Sequence, residues 1–241
     1  MKSQKFQSYK ARAIHSLEYA DHTLGFSMEA QDAVVTANFR GEDKMSEPYT
    51  AVCGGAARGG TTILSYILSA CGLPLGSDYG GEDQDFLQQR FEPDGLLDLI
   101  HQRNAEYQSW GFKIPGMSCG HYAFFEENAR NPVFIYIFRS PFSTALSIIK
   151  RAGSAGFSED RGGFGRAIQA SLTSYTEFLQ FMRQTDAPVI MISMEAMKKN
   201  PQDVVRALVE RLNLSVSEQK IAAIAEQISV SGYKRVENLA V

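Results

Sequence analysis

Two regimes alternate along this chain. Short, mostly apolar strand-like runs at 49–53, 110–114, 133–138 and 188–193 are separated by longer stretches whose apolar residues recur at helical spacing. The run at 133–138 (V-F-I-Y-I-F) is β-branched or aromatic throughout, as in a strand covered on both faces of a parallel sheet. Helices are predicted over 61–70, closed by Gly72 and Pro74, and over 94–108, with Asp94 as the cap and Leu96, Leu97 and Ile100 on one face. A helix over 141–151 has Ser140 as N-cap and Pro141 at its first position. Further amphipathic patterns predict helices over 166–182, 203–212 and 217–228. Strands alternating with helices predict an α/β fold of three layers, a mainly parallel central sheet flanked by helices.

The remaining segments fit one domain over 1–241 with its core at 49–215. Residues 1–48 are poorly defined: a short helix at 12–20, a strand at 33–39 and a polar linker at 41–48. A loop rich in glycine and acid spans 76–85, and a glycine-rich loop or lid spans 152–165. A C-terminal helix and an irregular tail from Ser229 complete the segment 216–241.

In open parallel sheets ligands bind beyond the carboxyl ends of the strands. Two candidate sites follow strands there. The first is G-G-A-A-R-G-G-T-T (54–62), a P-loop-type turn between strand and helix. It approaches the pattern G-x-x-x-x-G-K-[ST], but Thr61 or Gly60 stands at the lysine position. The loop suits an anion, through the N–H groups of Gly59, Gly60, Thr61 and Thr62 and the fork of Arg58. It lacks the lysine that nucleotide hydrolases apply to the β- and γ-phosphates. The second is R-S-P-F-S-T-A-L-S (139–147), where Arg139 ends the buried strand and Ser143 and Ser147 share a helix face. Glu195 follows the strand at 188–193, on the same rim.

Composition narrows the classes. Hydrophobic residues make up 44% and charged residues 21%, an ordinary globular balance, and the net charge of -3 speaks against a general nucleic-acid binder. Three cysteines without metal-ligand spacing fit free thiols in a reducing compartment. The first twenty residues are polar and basic, unlike a signal peptide, and no apolar run can span a bilayer. The expectation is a cytoplasmic protein without a metal; oligomeric state is left open.

The ordered pair of anion motifs resembles the sulfotransferases that use 3′-phosphoadenosine 5′-phosphosulfate (PAPS). Their first motif is approximately P-[KR]-[SG]-G-T-T, against A-R-G-G-T-T (57–62) here. Their second resembles R-[ND]-P-x-[DE]-x-x-x-S, matched at Arg139, Pro141 and Ser147, with serines at the acidic or amide positions. I-S-M-E-A-M-K-K-N-P (192–201) is similar to a third segment, R-Y-E-D-L-x-x-x-P, through Glu195 and Pro201. The resemblance spans 49–215 and implies a divergent, bacterial member. It implies that Arg58 with residues 59–62 holds the 5′-phosphosulfate and that Arg139 and Ser147 hold the 3′-phosphate. Arg58 and Lys113, in G-F-K-I-P (111–115), would stabilise the bridging oxygen. Glu82 is the preferred base, with Asp83, Asp85 and His121 as rivals. The acceptor would be a hydroxyl or amine on a carbohydrate or small metabolite. A P-loop kinase and a non-catalytic nucleotide-binding protein are the alternative readings.

Overall fold

The computed structural model describes residues 28–31, 34–37, 44–46, 48–76, 78–79, 82–83, 86, 92–151 and 161–230. The expected helix at 12–20, half of the linker at 41–48, residues 152–160 and the tail from 231 lie outside the described residues. Among the described residues eight strands run in chain order: β1 (Met28–Gln31), β2 (Val34–Ala37), β3 (Thr50–Gly55), β4 (Asp78–Tyr79), β5 (Glu82–Asp83), β6 (Trp110–Lys113), β7 (Pro132–Phe138) and β8 (Val189–Ser193). The helices are α1 (Thr61–Ala70), α2 (Pro93–Glu106), α3 (Cys119–Asn128), α4 (Pro141–Arg151), α5 (Arg161–Met182), α6 (Met194–Lys199), α7 (Pro201–Arg211) and α8 (Glu218–Val230).

Six strands form one sheet in the order β1-β2-β8-β7-β3-β6. The four strands from β8 to β6 are parallel, and β2 and β1 extend the β8 edge in antiparallel fashion. The chain leaves β3 for β6 on one side, then returns to β7 on the other. The order therefore reverses at β3, where a crevice opens beyond the strand ends in folds of this kind.

Side-chain alternation along β7 builds the two cores. Val133, Ile135 and Ile137 face an aliphatic layer with Cys53, Leu64, Ile67 and, from α7, Val204 and Leu208. Phe134 and Tyr136 face an aromatic layer with Phe112, Phe125, Phe178 and Phe181. Within it Tyr136 stacks on Phe178 at 4.0 Å between ring centroids. Burying a side chain of this size contributes about 1.5–3 kcal/mol. The two layers hold the strand ends, and hence the site, in fixed relation.

Several boundaries differ from the sequence pattern. Strand β3 runs two residues further, to Gly55, because both glycines stay in the ladder opposite Tyr136 and Ile137. Helix α2 starts at Pro93 with Glu92 as N-cap, so Asp94 sits inside the first turn. Helix α5 starts at Arg161, not Arg166, so the loop expected at 152–165 is helical over its last five residues. Its glycines argue for a loop, but packing overrides local propensity: Gly163 is buried and the Phe164 ring meets Phe142 edge-on at 5.3 Å. Helices α3 and α6 have no counterpart in the predicted elements. Helix α3 is apolar around much of its circumference, which hides the helical period. Helix α6 is only six residues long.

Candidate active site

The loop between β3 and α1 is a turn with strained geometry. Arg58 has φ 67° and Gly60 φ 109°, both left-handed. For a non-glycine residue that conformation costs about 1–2 kcal/mol. The Gly59 N–H donates to Ala56 C=O at 2.8 Å, closing the turn. A Cβ on Gly59 would sit 2.7 Å from that carbonyl oxygen, and one on Gly60 would sit 2.8 Å from the Met194 sulfur. The glycines at 59 and 60 are thus demanded by the turn itself, before any ligand is considered.

The turn is set apart by the helix it opens. Three other helices show the contrast. Ser118 and His121 form a capping box on α3, where the Glu177 carboxylate accepts the Cys119 N–H at 2.7 Å. Ser193 caps α6 by accepting the Ala196 N–H at 3.1 Å, and Glu195 lies in its first turn. Helix α7 carries Asp203 in its first turn. Helix α1 has Gly60 as N-cap, no side-chain cap and no acid in its first turn. Neither Thr61 nor Thr62 caps it. Its opening N–H groups and positive dipole end thus face the loop with no acidic residue of the helix's own first turn beside them.

The neighbouring strand exits are tied to this loop one by one. The Arg139 guanidinium donates to Arg58 C=O at 2.9 Å. Across the next strand, the Glu195 carboxylate accepts the Ser140 N–H at 2.9 Å. On the other side of β3, Gly116 N–H donates to Gly55 C=O at 2.8 Å and Ile114 N–H to Cys53 C=O at 3.1 Å. Four consecutive loops are thus joined along one rim in sheet order. Arg58, Arg139, Glu195 and Lys113 come together there, as their strand-end positions imply.

Lys113 pairs in register with Cys53 at the end of β6 and is only 1% exposed. Burial pushes the Cys53 thiol up to about 12, and the adjacent Lys113 charge works against that rise. As register partners, Cys53 and Lys113 share a face of the sheet, the one covered by α1. Thr61 is buried with its methyl over Gly55, whereas Thr62 is half-buried. Ser143 and Ser147 are half-buried on α4, whose start is supported by the Ser143 N–H reaching Ser140 Oγ at 3.5 Å.

Glu82 and Asp83 form β5, paired with β4 and lying beside β6, the strand that carries Lys113. Their side chains, like Asp85 altogether, lie outside the described residues. His121 is buried, and its Nδ1 receives the Ser118 N–H at 3.2 Å and lies 2.7 Å from Ser118 Oγ. In the neutral ring this puts the proton on Nε2. His121 is therefore part of a helix cap.

One residue of the rim has no sequence signal. Tyr175, in the middle of α5, donates its hydroxyl proton to Arg139 C=O and receives the Arg139 N–H at 3.3 Å. An aromatic residue in an amphipathic helix reads only as core.

Among the described residues no group of three His, Cys, Asp or Glu is placed to hold a metal ion, and no helix is long and apolar enough to cross a membrane. No family model and no curated protein matches the chain. Solved structures do. The sulfotransferase domain from the curacin biosynthetic pathway is similar with a TM-score of 0.54 at 18% identity, over 74% of this chain and 77% of that one. The mouse sulfotransferase SULT7A1 complexed with PAP is similar with a TM-score of 0.54 at 14% identity, over 85% and 76%. The sulfotransferase domain of the Synechococcus PCC 7002 olefin synthase is similar with a TM-score of 0.54 at 17% identity, over 73% and 77%. At such identities the likeness is one of architecture. This chain has the sulfotransferase fold, as the ordered motifs led one to expect.

Proposed function

We propose that this protein is a sulfotransferase that moves a sulfuryl group from PAPS to a hydroxyl or amine, on a carbohydrate or small metabolite. The observation that carries the proposal is the bond from Arg139 to Arg58 C=O. It joins two cationic strand exits, beside a helix start with no side-chain cap and no acidic residue in its first turn, and so supports one site with two anion positions. A donor with phosphate groups at both ends matches that arrangement. A nucleoside triphosphate, with its phosphates in one chain, matches it less well.

In this reading Arg58 and the N–H groups of residues 59–62 receive the 5′-phosphosulfate, while Arg139 and Ser147 receive the 3′-phosphate. A guanidinium has five N–H donors. Arg139 can keep its bond to Arg58 and still present a fork to phosphate. The acceptor oxygen or nitrogen attacks sulfur in line as the bond from sulfur to the bridging oxygen breaks. Arg58 and Lys113 stabilise the charge that develops on that oxygen. Glu82 takes the acceptor proton. No lysine in the Walker position and no metal are required, because the transferred group carries less charge than a terminal phosphoryl group.

The test is thermal stabilisation by 3′-phosphoadenosine 5′-phosphate (PAP), 5′-AMP and ATP, on the wild type and on Arg139→Ala. PAP should stabilise strongly and AMP weakly, and the difference should vanish in the variant. Equal effects of PAP and AMP on the wild type would overturn the proposal. Incubation with labelled PAPS and a panel of sugars and small metabolites then separates a working enzyme from a protein that only binds the nucleotide.

A further inference from the structure

We infer that Tyr175 is a positioning residue of this site, acting through Arg139 on both anion positions. The inference rests on the reading of the site given above. One hydroxyl serves both main-chain polar groups of Arg139: it donates to the carbonyl and accepts from the N–H. Arg139 lies just past the end of β7, whose last ladder partner is the pairing of Phe138 with Ser193. Beyond that point the strand supplies no partners, and an unfixed backbone would let the arginine swing.

The tyrosine is itself held by packing. Its ring lies 5.3 Å from Phe138 and 6.3 Å from Tyr136, and Tyr136 stacks on Phe178. The aromatic layer thus sets the ring, the ring sets the hydroxyl, and the hydroxyl sets the backbone of Arg139. From that anchored backbone the guanidinium reaches Arg58 C=O. Arg58 is a left-handed residue, and its carbonyl accepts that bond. Glu195 fixes the adjacent Ser140 N–H from the opposite side. The Arg139–Ser140 corner is therefore clamped between α5 and α6, and a substitution on α5 should be felt at the loop before α1.

Tyr175→Phe keeps the ring and removes only the clamp. Tyr136→Phe is the matched control. It removes a hydroxyl from the same layer, one that bonds Ser174 at 2.8 Å and does not touch Arg139. The measurements are affinity for PAP and for 5′-AMP, and hydrogen exchange of the Arg139 amide, on both variants and the wild type. Tyr175→Phe should lower the preference for PAP over AMP by roughly three- to tenfold and speed exchange at Arg139. Tyr136→Phe should leave both unchanged, even if its melting temperature falls. An unchanged preference in Tyr175→Phe, or an equal loss in both variants, overturns the inference. If the wild type itself shows no preference for PAP, the proposed function falls instead. Exchange at Arg139 then decides the clamp: faster only in Tyr175→Phe sustains it, and equal protection in all three proteins overturns it.

Discussion

The guanidinium of Arg139 donates a hydrogen bond of 2.9 Å to the main-chain carbonyl of Arg58, joining the exits of β7 and β3. The contact changes how the two arginines are understood. Arg139 is a strut within the protein as well as the proposed 3′-phosphate contact. Arg58 sits at φ 67° with its carbonyl held in place from outside its own turn.

Arg58 carries two separable properties, its charge and its backbone conformation. Arg58→Ala and Arg58→Gly both remove the guanidinium and should abolish sulfuryl transfer to the same degree. Only glycine adopts the left-handed conformation without steric cost. Arg58→Gly should therefore be more stable than Arg58→Ala by about 1 kcal/mol, read from urea unfolding. An alanine variant at least as stable as the glycine variant would contradict the left-handed turn.

Glu82→Gln should leave PAP affinity within about twofold and remove turnover, because it keeps the shape and loses the base. Binding and single-turnover assays on one preparation check both halves. Full turnover in this variant would shift the role to Asp83, Asp85 or His121.

Gly54 belongs to β3, and a Cβ there would overlap the hydroxyl of the buried Tyr122. Gly54→Ala should cost roughly 1–3 kcal/mol, as overpacking of a core does. Tyr122→Phe removes the overlapping oxygen, so the double variant should recover part of that loss. A double-mutant cycle by denaturation would reveal the coupling, and strict additivity would speak against the contact.

Alkaline pH should destabilise the protein partly through Cys53. Its thiol is pushed from 9.0 to about 12 by burial, so the folded protein keeps a proton that the unfolded chain loses first. The unfolded state then binds fewer protons, and stability falls as pH rises from 9 toward 12. Each such proton is worth about 1.4 kcal/mol per pH unit. Cys53→Ala should show a shallower loss of stability over that window in denaturant titrations at successive pH values. For the same reason alkylation of native Cys53 at pH 8 should be slow and become fast only on unfolding.

Local chemistry accounts for what the chain discloses before folding. The run from Val133 to Phe138, the glycine turn ahead of Thr61 and the Ser140-Pro141 start of α4 each depend on a few neighbouring residues. Periodicity, capping and strand ends therefore determined the parallel sheet, its three layers and the rim on which Arg58, Arg139 and Lys113 stand. Tertiary structure decided the rest, because it depends on residues far apart in the chain. Packing drew Arg161 to Gly165 into α5, and the overlap with Tyr122 made Gly54 part of the core. His121 became part of a cap once Ser118 lay against its Nδ1. The bond from Arg139 to Arg58, and the Tyr175 hydroxyl behind it, arise only when β3, β7 and α5 meet. Hydrogen bonds of that range leave no trace in residue spacing.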